Sequence, residues 1–155
     1  MTNRIRLVLA GAVALVAACR GGERVPGYGR GENSLVLVTP HTVRADRLPA
    51  FGYTGIETPA LDGLSQKGVR FANAATTVPF TLPAHSAILT GLYPPRHGVR
   101  ENVGFSLSEK VPSVAARLRE AGYATAGFVS AFVLDGRWGI GRGFDTYFDD
   151  FDPAK

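Results

Sequence analysis

The chain has 155 residues, 45% of them hydrophobic, 10% aromatic and 19% charged, which suits one ordinary folded domain and excludes wholesale disorder. Its formal charge is +4, but Arg4 and Arg6 supply two of those charges, so a product starting at Cys19 carries about +2. No aromatic platform or recognition helix accompanies the scattered arginines at 20, 24 and 30, so a nucleic-acid partner is not expected.

Residues 1–18 read as a targeting segment. Arg4 and Arg6 form a basic start, and residues 7–18 are an unbroken run of twelve apolar or small residues. A bilayer-spanning helix needs roughly 20, so the run suits a signal-peptide core. It ends in Val16-Ala17-Ala18-Cys19, which resembles a bacterial lipobox, and Cys19 is the sole cysteine. The expectation is an exported lipoprotein held to a membrane by acylation of Cys19, on the periplasmic or cell-surface side. An ordinary cleaved signal with an incidental cysteine is the alternative. Residues 19–33 follow as a glycine-rich tether, and residues 34–155 are expected to form the folded part.

Within the folded part, residues 34–39 (SLVLVT) predict a buried strand that stops at Pro40. The polar loop after it lies where open α/β sheets bind ligands. Thr58 and Pro59 open a helix, with a hydroxyl cap and proline at its first position, and Gly68 closes it. Residues 69–74 predict a second strand, and residues 81–90 a helix closed by Gly91. A third helix, 112–121, is closed by Gly122, with Val114, Leu118 and Ala121 on one apolar face. Residues 123–129 predict another strand. Alternating strands and helices predict an α/β fold with a largely parallel sheet flanked by helices.

The segment from Pro79 to His85, PFTLPAH, is the most informative. Pro83 belongs in the first turn of a helix, which places Thr81 at or just before the cap, near the positive end of the dipole. The local pattern leaves two readings of Thr81 open: a simple cap hydroxyl, or a group at an anion site.

Residues 81–94, TLPAHSAILTGLYP, resemble the signature of the sulfatase family of the alkaline-phosphatase superfamily, in which Cys or Ser followed by x-Pro-x-Arg opens a helix ending in Thr-Gly-x-Tyr-Pro. The resemblance runs in order over about residues 34–151. Residues 35–47 are similar to the family's first strand and metal loop, and residues 58–73 to its TPNLD…FxNA segment. Arg96-His97-Gly98-Val99 is similar to a family turn, and GYATA at 122–126 and Gly143-Phe144-Asp145 to later landmarks.

The resemblance implies an alkaline-phosphatase-like domain and a metal-dependent hydrolase of sulfate or phosphate esters. It implies a small-molecule, glycan or lipid ester as substrate, and a divalent metal (calcium, magnesium, manganese or zinc) as cofactor. Thr81 falls at the nucleophile position, which also ligates metal. Threonine cannot be oxidised to formylglycine, so none is expected, whereas a threonine alkoxide can attack phosphorus. His85 stands in place of the family's arginine, one turn along the helix, and either contacts the reacting anion or is satisfied locally. His97 is expected to order its turn, and Asp149 and Asp150 to lie in an exposed acidic segment.

Two departures stand out. His41 occupies the position of a family aspartate, so His41, Thr42 and Thr81 are the expected metal ligands; and the family's lysine after its Gly-Tyr-x-Thr segment is absent. The family's other ligands come from a second half that this sequence does not contain. A truncated, inactive hydrolase is therefore the first expectation, and a non-catalytic, membrane-anchored binding protein the second.

Overall fold

The computed structural model describes residues 34–150. The signal segment, Cys19 and the whole tether lie outside the described residues. All regular elements belong to one unit that begins at Val38, and residues 34–37 belong to another. The elements are α1 (Pro59–Lys67), α2 (Thr81–Thr90), α3 (Pro94–His97), α4 (Val114–Glu120), β1 (Ala126–Phe128) and β2 (Thr146–Phe148), with 3-10 turns at Ala45–Arg47, Pro49–Phe51, Phe132–Leu134 and Gly136–Trp138. No helix among the described residues is long and apolar enough to cross a membrane.

Helix positions follow the local signals closely. Pro59 sits at the start of α1 and Gly68 ends it. Gly91, at φ 68°, ends α2, and Gly98, at φ 84°, ends α3. Helix α4 begins two residues later than the sequence indicates, because Ser113 caps it: its hydroxyl oxygen accepts from the Ala116 N–H at 3.1 Å. The expected hydroxyl cap of α1 does not form. Thr58 instead donates its hydroxyl to the Asp62 carboxylate at 3.2 Å.

The sheet departs from expectation. Only β1 and β2 pair, in parallel, with Ala126 opposite Thr146 and Phe128 opposite Phe148. Residues 34–39 and 69–74 hold no strand; Leu35, Val36, Leu37 and Val38 are 58–79% exposed, and Val69 is 84% exposed. Apolar β-formers favour extension, but a strand also needs a neighbour for its N–H and C=O groups. Neither segment has one among the described residues. The expected largely parallel sheet is thus a two-stranded one in a mostly helical unit.

The core sits behind α2. Leu82, Val99, Leu107, Leu134 and Ile140 are buried together, with Leu89, Phe105, Trp138 and Tyr147 packed against them. Burying Leu82 completely contributes roughly 1.5–3 kcal/mol, and it fixes the start of α2 to the interior. Pro83 and Ser86 are buried on the same helix, so its opposite face, bearing Thr81 and His85, is presented outward.

Candidate functional site

Thr81 is the first residue of α2, and Phe80 occupies the cap position. The Thr81 hydroxyl therefore does not cap the helix. It lies 3.0 Å from His41 Nε2, forty positions earlier in the chain. One turn along, His85 Nδ1 lies 2.8 Å from the Thr81 carbonyl oxygen. A carbonyl only accepts, so Nδ1 carries the proton. In a neutral ring His85 Nε2 is then the acceptor, and the Thr39 hydroxyl stands 3.1 Å from it.

These contacts interlock. Thr39 and His41, two apart on the loop, meet His85 and Thr81, four apart on one helix face. His85 is thus satisfied locally and also ties the loop to the helix. The loop makes its turn at Thr42, the one non-glycine with positive φ (58°) among the described residues. A β-branched side chain in that conformation costs about 1–2 kcal/mol, which the loop contacts must offset. The Thr42 hydroxyl donates to the His41 carbonyl oxygen at 2.8 Å, so it is turned onto its own backbone.

The start of α2 offers less to an anion than the sequence suggests. The Leu82 N–H donates to Asn102 Oδ1 at 2.9 Å, and Pro83 has no N–H to offer. Asn102 and Thr39 are the two contributors that sequence reasoning missed. Asn102 lies in an irregular polar stretch, RENVG, with no local pattern to single it out.

His97 orders its turn. The ring is buried, and Nδ1 accepts from the Val99 N–H at 3.1 Å. The proton of the neutral ring is then on Nε2, which is buried with no partner, as is the Ser86 hydroxyl. Burial pushes the His97 imidazole below its ordinary value, holding it neutral. Asp149 differs from the expected exposed segment: it is half-buried, and its carboxylate accepts from the Gly136 N–H at 2.7 Å.

The residues do not by themselves assemble a divalent-metal site. His41, Thr42 and Thr81 offer one imidazole nitrogen and two hydroxyls, and His41 Nε2 is engaged with Thr81. The nearest carboxylate in the loop sequence, Asp46, is held by the Arg44 guanidinium at 2.7 and 2.9 Å, which keeps its carboxyl below the usual range. No group of three His, Cys, Asp or Glu side chains suited to a metal exists among the described residues. Hard cations need several oxygen ligands, and zinc needs at least three protein donors.

Residues 33–154 match the family model described as Sulfatase. The chain is 30% identical to an N-acetylgalactosamine-6-O-sulfatase of Bacteroides thetaiotaomicron, an alignment covering 92% of this chain and 28% of that protein. It is 35% identical to the steryl-sulfatase of Mus musculus, over 70% of this chain and 18% of the relative. An ulvan-active sulfatase of Formosa agariphila is 36% identical over 56% of this chain and 17% of its own length. The chain thus spans less than a third of each of these curated relatives. No solved structure matches.

Proposed function

We propose that this chain, which belongs to the sulfatase family of the alkaline-phosphatase superfamily, carries the nucleophile of a hydrolase acting on sulfate or phosphate esters. The observation that carries the reading is Thr81: its hydroxyl is released from capping, half-buried at the start of α2, and bonded to an imidazole. A hydroxyl so placed can attack an ester of phosphorus, forming a covalent intermediate that water then cleaves. Threonine has no route to formylglycine, which favours phosphate esters. The relatives' names point to sulfated glycans, so a glycan or lipid ester is the substrate class proposed.

Family members typically use a divalent metal, which supplies charge stabilisation at the reacting oxygens. Among the described residues the donor set does not fit one, so what this chain contributes is the hydroxyl and the two histidines. His41 in place of the family's aspartate supports a second reading, a binding protein of the family that retains esters without turnover. The assay is release of p-nitrophenol from p-nitrophenyl phosphate and sulfate with divalent metal added. Turnover that falls on the order of 10² or more in Thr81→Ala supports the hydrolase. Binding of either ester without turnover supports the second reading instead.

The lipobox-like VAAC run supports a membrane anchor at Cys19 on an exported protein. Two or more acyl chains give stable anchoring where one gives only marginal binding. Intact mass of the membrane-extracted protein should show an acylated Cys19, and a mass matching the bare thiol removes the proposal.

A further inference from the structure

His97, on the four-residue helix α3, is a titratable side chain sunk into the interior, 1% exposed. Its Nδ1 accepts the Val99 N–H at 3.1 Å, and Val99 is fully buried in one cluster with Leu82. Leu82 directly follows Thr81, so the turn at 97–99 supports the start of α2 from inside. With Nδ1 accepting, Nε2 carries the proton of the neutral ring, and it meets no acceptor among the described residues. The Val99 contact is therefore the ring's one hydrogen bond there, and it exists only while the ring is neutral.

No charge stands ready to receive an imidazolium. Helix α2 packs on α3, and its buried face offers Leu82, Pro83 and Ser86. The sole titratable group on α2, His85, lies on the opposite face, held to Thr81 and Thr39. Arg96, Arg100 and Glu101 flank His97 in the chain and are exposed. We propose that His97 is an acid-released latch on the start of α2. On acidification a solvent proton enters at Nδ1, the Val99 N–H loses its acceptor, and a charge is left in the apolar interior. The turn then opens, and Leu82 and Thr81 leave their places with it. Burial alone holds the folded imidazole below its ordinary value of 6.5. Stability from the neutral ring is thus fully present above that value and is lost as pH falls beneath it. The latch acts on the position of Thr81, whatever chemistry Thr81 performs.

The test is amide hydrogen exchange on the full chain from about pH 7 to about pH 5, above the range in which ordinary carboxylates titrate. Linkage to one proton makes the protection factors of Val99 and Leu82 fall by about tenfold for each pH unit below about 6.5. The Val129 N–H, which donates to the Phe148 carbonyl oxygen at 3.0 Å beside the sheet, should keep its protection over the same range. His97→Asn retains an acceptor for the Val99 N–H but takes up no proton. Its protection at Val99 and Leu82 should not change with pH.

Protection that falls equally in the parent and in His97→Asn overturns the latch, as does protection in the parent that ignores pH. An equal fall at Val129 overturns it too, because the opening is then global. If His97→Asn does not fold, histidine side-chain NMR of the parent decides. The His97 ring of the folded form should stay neutral below about pH 6.5, with its proton on Nε2. An imidazolium at His97 in the intact fold removes the latch.

Discussion

Thr125 and Asp145 bind each other through both backbone and side chain. The Thr125 N–H donates to Asp145 Oδ2 at 2.8 Å, and the Asp145 N–H donates back to the Thr125 hydroxyl oxygen at 3.0 Å and carbonyl oxygen at 2.9 Å. These residues immediately precede β1 and β2, so the clasp sets the register in which Ala126 meets Thr146. Two sequence landmarks, GYATA and GFD, are thereby the two halves of one device.

The clasp has a pH signature. Hydrogen bonds from Thr125 hold the Asp145 carboxyl below its usual value of 3.8. A carboxylate depressed in the folded state adds stability above its unfolded pKa and loses it as pH falls through the lower folded value. Urea midpoints should therefore drop as pH falls from about 5 toward 2, part of that drop coming from Asp145. Asp145→Asn keeps an acceptor oxygen but not the charge, and should flatten this part of the profile. Identical acid limbs for the two proteins would exclude the carboxylate as its source.

Gly143, beside the clasp, has φ of 97°, and a Cβ there would fall 2.8 Å from the Ala116 Cα and 2.9 Å from its Cβ. The obstruction is largely helix backbone in α4, which cannot swing aside. Gly143→Ala should cost about 3 kcal/mol or more, combining conformational strain with overpacking. Chemical denaturation would show it, and a loss under 1 kcal/mol or so would mean that α4 shifts freely.

Asn102 supports the candidate site from behind. Its side-chain oxygen takes the Leu82 N–H, and Leu82 is fully buried. Asn102→Leu leaves that donor without a partner, at a cost of about 1–3 kcal/mol. Amide exchange at Leu82 should speed up more than exchange at the C-terminal turn of α2. Equal changes along the helix would show a global loss rather than a released cap.

The helices were legible because their signals are local. Pro59 and Pro83 have their φ preset for a first turn, and Gly68 and Gly91 stop their helices where the pattern ends, whereas the four-residue α3 was read only as a turn. Sequence alone also determined the order of family landmarks. Tertiary structure decided the rest, because it depends on partners distant along the chain. The apolar runs at 34–39 and 69–74 have the composition of strands, but a strand exists only with a neighbour. Nothing near Asn102 announces that it will receive a helix N–H from 20 positions away. His41 is the sharpest case: the family resemblance implies a ligand, and the loop's turn at Thr42 accompanies a contact from its imidazole to a hydroxyl 40 residues on. Residue type limits what an imidazole can do, and only the fold selects the atom that it meets.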